Sequence, residues 1–287
     1  MIQTGVQLPY SLIKVSGPDA EKFLQGQFSC DVTELAPLQC TYGTANSAKG
    51  RMYWLFVIAR IEDGFLIKVH ESVRQQGVGT LSKYKVFFKC EIETLEHAKV
   101  FGVFDESNLK DEHVLQNTNF GLTRQVDAQR QELWQLNEAD APITLDPNLL
   151  NEWYQQDCLS GIPELYPETI ETFILQNLNL QDLGAVSFKK GCYTGQEIIA
   201  RMKFLGKAKK RMYRFQSEQS ASLLPGENIF DEAGKKLGEI VRVHTNENDT
   251  LGLAVCDIER VKDSNVAYLN SNQSVKAELF ELHYNPN

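Results

Sequence analysis

The densest hydrophobic stretch of the chain is MYWLFVIARI at Met52–Ile61, whose aromatic and β-branched residues predict a strand. Asp63-Gly64 follows as a two-residue hairpin signal, so residues 65–69 are predicted to return as the paired strand. Residues 71–84 carry a helical pattern interrupted by glycines, and residues 86–95 read as a strand. Upstream, Ser16-Gly17-Pro18-Asp19-Ala20-Glu21 places a proline at a first helical position ahead of apolar residues at helical spacing, which predicts a short amphipathic helix ending near Phe28. Residues 100–104 and 132–136 are further strands by pattern, with loops or an exposed helix expected between them. Residues 152–158 read as helix.

After Lys210 the texture changes. Short apolar runs at 212–215, 228–230, 236–243, 250–257 and 275–282 are separated by Pro225-Gly226, Ala233-Gly234 and the polar tract 246–249. Strands at that spacing predict a small all-β barrel, and a boundary falls near residue 208. The expected organisation is therefore an α+β part over residues 1–207 and a barrel over residues 208–287. No repeat of fixed period is visible, which excludes a solenoid.

A length of 287 residues supports about two modules at roughly 150 residues each, so the chain can bury substantial cores without disulfide staples. The six cysteines include no Cys-x-x-Cys, which disfavours both a disulfide framework and a zinc ribbon. The N-terminal MIQTGVQLPYSLIKV lacks a basic region followed by an apolar core, and no apolar run is long enough to span a bilayer; together these give a cytoplasmic expectation with no membrane partner. A net charge of −9 argues against a protein whose whole surface grips nucleic acid. One segment departs from that balance. Arg201, Lys203, Lys207, Lys209, Lys210, Arg211 and Arg214 put seven cations in fourteen residues, with no Asp or Glu from Ile198 to Ser217, so residues 201–214 could contact RNA phosphates or an anionic ligand tail, or simply be a solvated face.

The strongest local chemistry lies in KKGCYTGQEIIARMKF, residues 189–204. Thr194-Gly195-Gln196-Glu197 has the spacing of a capping box, which would start a helix just after Cys192. A thiol ahead of a helix N-terminus and beside Lys189 and Lys190 can have its pKa drawn from about 8.5 toward neutrality. The competing reading is a small apolar filler beside two glycines, the common role of cysteine. The five histidines form no metal-spaced pair. Gly77-Val78-Gly79 lacks the third glycine of a dinucleotide fingerprint.

The motif Lys190-Gly191-Cys192-Tyr193-Thr194-Gly195-Gln196-Glu197 is preceded by Asn179-Leu180 and Ser187-Phe188 and followed by Ala200-Arg201. Taken with Gly17-Pro18-Asp19-Ala20, Phe23-Leu24-Gln25-Gly26-Gln27, Cys30-Asp31 and Lys49-Gly50-Arg51, it resembles the signature of the YgfZ family, relatives of the glycine cleavage aminomethyltransferase, or T-protein. The resemblance covers most of residues 10–215. It implies an α+β cloverleaf of two intertwined modules, one of them ferredoxin-like, with a C-terminal β-barrel and a central pocket for tetrahydrofolate or a related folate. It further implies a role in sustaining iron–sulfur enzymes, including those that thiomethylate tRNA, with Cys192 as the functional thiol. By position, the resemblance assigns Lys190, Tyr193, Gln196, Glu197, Arg201, Phe28, Asp31 and Arg51 to the folate site. Two alternatives stand beside it: a folate-dependent one-carbon transferase, and a non-catalytic module that docks on tRNA or a partner enzyme. T-protein tends to carry an acidic pair where this chain reads Met52-Tyr53-Trp54-Leu55, which weakens aminomethyl transfer.

Overall fold

The computed structural model describes residues 3–105, 112–137 and 143–284. The chain divides into two compact units, one formed by Met1–Ser47, Tyr53–Leu150 and Gly184–Thr194, the other by Ala48–Met52, Asn151–Leu183 and Gly195–Asn287. Each unit is therefore assembled from separated stretches of chain.

The first unit starts with strands β1 (Gln3–Leu8) and β2 (Tyr10–Ser16), helix α1 (Ala20–Gln27) and strand β3 (Cys40–Asn46). Then come β4 (Met52–Ile61), β5 (Gly64–His70), helix α2 (Glu71–Lys85), β6 (Glu91–Thr94) and β7 (Lys99–Phe104). It continues through β8 (Gln116–Thr118), β9 (Gly121–Asp127), β10 (Arg130–Gln135) and β11 (Ile143–Leu145). These strands form two sheets, in the orders β3-β4-β5-β2-β6 and β11-β1-β7-β10-β9-β8. The second is antiparallel apart from the β1–β11 pair.

Strand β4 is buried at every position from Met52 to Ala59, the pattern of a strand covered on both faces. Its hairpin to β5 turns at Gly64, where φ is 146° and a Cβ would lie 2.2 Å from the Val15 carbonyl oxygen, so only glycine fits. Helix α2 reaches the sheet through another glycine: a Cβ on Gly77 would sit 2.0 Å from the Trp54 ring, whose Nε1–H donates to the Val73 carbonyl at 3.1 Å. In the same unit Glu132 is buried between two cations, with Lys68 Nζ at 2.5 Å and Arg124 Nη1 at 3.7 Å, and it accepts a 3.0 Å hydrogen bond from Trp134 Nε1. Burial alone would raise the Glu132 carboxyl, but Lys68 and Arg124 outweigh it and hold the group below its usual range.

Two expectations are corrected here. Only Glu91–Thr94 of the segment 86–95 is strand; Val86 and Phe87 are 72% and 87% exposed in a turn, so apolar composition misled where burial was missing. The segment between residues 104 and 132 contains β8 and β9 rather than a helix, and residues 106–111 lie outside the described residues. β8 is exposed throughout and β9 buries the polar Arg124 and Gln125, so neither shows an apolar period.

In the second unit, α4 (Gln196–Leu205) precedes β12 (Lys210–Ser217), β13 (Asn228–Phe230), β14 (Lys236–Thr245) and β15 (Thr250–Asp257). Helix α5 (Ile258–Asp263) and strands β16 (Val266–Tyr268) and β17 (Lys276–Phe280) follow. The strands close as β12-β15-β14-β13-β16-β17, a barrel filled by Phe215, Ile229, Ile240, Leu269 and Leu279. The helix α3 (Leu149–Leu159) brings Asp157 to the barrel, where the carboxylate pairs with Arg242 of β14 at 2.9 Å; Arg242 also donates to the Ile162 carbonyl at 3.2 Å. Two short 3₁₀ turns, Pro167–Thr169 and Leu175–Leu178, lead to Asn179 in the left-handed region at φ 55°. Its side-chain amide pairs with the backbone of Met212, donating to the carbonyl at 3.0 Å and accepting from the N–H at 3.2 Å. That reciprocal pair stands in for a strand neighbour and ties the segment upstream of the motif to the first barrel strand. Among the described residues no helix is long and apolar enough to cross a membrane.

Candidate functional site around the motif cysteine

Helix α1 ends where the motif loop begins to bind. Phe28 closes α1, and its ring is fully buried against Phe56, with centroids 4.4 Å apart, so Phe28 offers its backbone rather than its side chain. The Lys190 ammonium donates to the Phe28 carbonyl at 2.8 Å and to the Cys30 carbonyl at 2.7 Å, and lies 5.2 Å from the centre of the Tyr193 ring. Two residues earlier, near the end of α1, the Gly26 carbonyl accepts from the Thr194 N–H at 3.3 Å. Further back, Ser187 donates its N–H to the Ser29 carbonyl at 2.9 Å, and the Ser29 hydroxyl donates to the Ala185 carbonyl at 2.6 Å. The loop from Ala185 to Thr194 is thus stitched along residues 26–30.

This stitching fixes which groups face solvent. Cys192 is exposed, whereas Cys30, Cys40, Cys90, Cys158 and Cys256 are all buried. Lys190 and Tyr193 are turned inward, at 8% and 6% exposure. Burial lowers the Lys190 ammonium from 10.5 to about 8, partly opposed by the Asp31 carboxylate. Burial likewise pushes the Cys30 thiol up to about 12, so that sulfur stays protonated, and raises the Tyr193 phenol.

Asp31 lies in the same neighbourhood. Its Oδ1 collects three hydrogen bonds, from Gln25 Nε2 at 2.8 Å, the Thr33 hydroxyl at 2.7 Å and the Thr33 N–H at 3.2 Å, leaving Oδ2 outside that cluster. Burial would raise this carboxyl, but the bonds from Thr33 and Gln25, with Lys190 nearby, outweigh it and hold the group below its usual range. Gln27, between Gly26 and Phe28, whose carbonyls grip the motif loop, has a buried side-chain oxygen with no hydrogen-bond partner among the described residues. Gln27 was not assigned a role from sequence. Its only signal was its place in the Gln25-Gly26-Gln27 pattern.

The remaining assigned residues belong to the second unit. Gln196, Glu197 and Arg201 lie on α4, with Glu197 and Arg201 exposed. The capping box is corrected: Gly195, at φ 83°, occupies the cap position, no side chain caps the helix, and the Thr194 N–H goes to Gly26 instead. Arg51 forms an isolated bridge to Ile174 and donates through Nη1 to the carbonyls of Thr172 and Glu171. Preceding it, Gly50 has φ 70°, and a Cβ there would lie 2.9 Å from Ile198 Cβ of α4. The Lys49-Gly50-Arg51 hairpin tip is therefore a packing device against that helix. The structure thus groups Phe28, Asp31, Lys190, Tyr193 and Cys192 in one unit and Arg51, Gln196, Glu197 and Arg201 in the other. Among the described residues no three Cys, His, Asp or Glu side chains converge to hold a metal ion.

Similarity to known proteins narrows this picture. The chain is 33% identical over 245 residues to the tRNA-modifying protein YgfZ of Cronobacter sakazakii, covering 79% of this chain and 74% of the relative. It is 31% identical over 265 residues to the tRNA-modifying protein YgfZ of Aliivibrio fischeri strain MJ11, covering 86% and 82%. The chain belongs to the YgfZ family. An uncharacterized protein of Haemophilus influenzae is 36% identical over 218 residues, covering 75% of this chain and 74% of that one. No protein-family model matches the chain. In three dimensions it resembles the glycine cleavage system aminomethyltransferase T of Bartonella henselae, with a TM-score of 0.74 at 11% identity over 99% of this chain and 88% of that one. At that identity the likeness establishes a T-protein-like fold for this YgfZ member, and nothing about its chemistry.

Proposed function

We propose that this protein is a folate-binding accessory factor that sustains iron–sulfur enzymes acting on tRNA, including thiomethylation enzymes, and that Cys192 is its reactive group. The observation that carries the reading is the contrast among thiols: one is presented to solvent on a loop pinned at both flanks, and five are buried. A filler cysteine would be sealed; this one is held outward by the inward anchoring of Lys190 and Tyr193. The names of the YgfZ relatives supply the tRNA link. The cytoplasm is the proposed compartment.

The polar groups beside the loop fit a folate. Asp31, ionised and with Oδ2 outside its own cluster, suits the paired N–H donors of a pterin, and the orphan Gln27 oxygen is a further acceptor. Lys190 is an ammonium donor whose proton is loosely held near neutral pH. A bound tetrahydrofolate would supply a one-carbon unit or a reducing pterin, while this chain's residues orient it and present the thiol. Aminomethyl transfer gains no support, because Met52, Tyr53, Trp54 and Leu55 are all buried where an acidic pair would be needed.

Titration of the purified protein with tetrahydrofolate, followed by fluorescence, tests the pocket. Binding by the native chain that weakens at least tenfold in Asp31→Asn and Gln27→Ala supports the proposal. Absence of saturable binding contradicts it.

A further inference from the structure

The second unit has a cleft of about 380 Å³ lined by Arg51, Asn177, Lys207, Lys209, Lys210 and Glu239 among others. That volume is within the roughly 300–1,000 Å³ of ligand sites. Its charge is lopsided. Arg51 and the three lysines are exposed and form no ion pair among the described residues, while the one carboxylate, Glu239, is already paired with Lys236 at 2.9 Å. Arg51 Nη1 is committed to backbone carbonyls, which leaves Nε and Nη2 for an incoming acceptor. Apolar side chains of Phe173, Ile174 and Met202 form other parts of the wall.

The surroundings say which kind of anion this suits. The cation series continues beyond the cleft onto α4 through exposed Arg201 and Lys203, and the same helix ends in Phe204 and Leu205, which are 67% and 83% exposed. A free phosphate or a carboxylate tail would use the cleft and leave the rest idle. A strand of unpaired RNA presents repeating phosphates and flat apolar bases, and proteins hold it with a basic track beside an aromatic platform. Arg214 does not belong to the track, since its guanidinium lies 4.7 Å over the Phe280 ring of the barrel.

We infer that this cleft is an RNA-binding site, in which Arg51, Lys207, Lys209 and Lys210 take backbone phosphates and Phe204 stacks on a neighbouring base. That the RNA is a tRNA rests on the function proposed above; that the cleft takes RNA rests on its own charge and shape.

The test is fluorescence anisotropy on the full chain with a labelled unstructured oligoribonucleotide and with bulk tRNA, across a salt series. The variants are Lys207→Gln/Lys209→Gln/Lys210→Gln, Phe204→Ala, and a control triple Lys22→Gln/Lys83→Gln/Lys235→Gln. The inference expects the cleft triple to weaken RNA binding at least tenfold more than the control, and to lessen the slope of log K against log salt by about 2, given roughly 0.7 per phosphate contact on single strands. Phe204→Ala should weaken binding about tenfold with the slope unchanged. Equal binding by both triples overturns the inference, as does saturation by inorganic phosphate with no measurable RNA binding. A parallel measurement of tRNA thiomethylation in a deletion strain separates the two ideas. Unchanged modification with intact cleft-dependent RNA binding removes the functional proposal alone, and reduced modification without RNA binding removes this inference alone.

Discussion

The ammonium of Lys190 donates to the carbonyl of Cys30 at 2.7 Å, joining the motif loop to the chain just past the first helix. With the second bond to Phe28 it spends two of three donors on the backbone carbonyls of fully buried residues. Its position two residues before Cys192 therefore has a structural consequence: anchoring the lysine inward leaves the cysteine at the surface.

Replacing Lys190 by Met strands both carbonyls. At about 1–3 kcal/mol for each unsatisfied buried group, the loss should reach a few kcal/mol and appear as a lower urea midpoint. The pH dependence has a definite sign. The folded-state value of about 8 lies below the ordinary 10.5, so between those values the unfolded chain holds more protons, and stability contributed by this residue rises with pH. Urea titrations of the native chain and Lys190→Met from pH 7.5 to 10 should show that rise only in the native chain.

Alkylation should single out Cys192. Burial raises the thiols of Cys30, Cys40, Cys90 and Cys256 and also hides them, so few thiolates are available there. Brief iodoacetamide treatment of the native protein should add one label, mapped to Cys192 by mass spectrometry, and none to Cys192→Ser. Full labelling should require denaturant.

Glu132→Gln should be among the most damaging single changes in the first unit. It removes the counter-charge that Glu132 gives the buried Lys68 and Arg124, at a cost of about 3–5 kcal/mol. Because the folded carboxyl is held below its ordinary 4.5, its contribution is present above that pH and lost as pH falls through and beneath it. Acid unfolding monitored by circular dichroism should therefore shift to higher pH in the variant.

Much of this architecture was legible in the chain. β4, its Asp63-Gly64 turn, α2 and five of the barrel strands match the hydrophobic pattern, because each buries a full face or both. β8, β9 and β16 escaped it, being short or polar on one side. The motif cysteine could be picked out by its neighbours, but its exposure could not, since that depends on carbonyls at residues 28 and 30, some 160 positions away in sequence. Arg51 was assigned to a ligand by resemblance, while its bonds to Thr172 and Glu171 and its place in the basic cleft follow only from the fold.

Gly50→Ala tests the hairpin tip. The left-handed conformation costs a residue with a Cβ about 1–2 kcal/mol, and the new methyl would also press on Ile198. Thermal unfolding should show a lower midpoint, and hydrogen exchange should quicken along α4 while the first unit's sheets stay protected.

The central claim is that the exposed sulfur of Cys192 takes part in sustaining tRNA-modifying enzymes. In a strain lacking the gene, thiomethylated nucleosides in bulk tRNA should fall, recover with the native copy and stay low with an equally expressed Cys192→Ala copy. Full recovery by Cys192→Ala would contradict the account and leave the thiol without a part in the function.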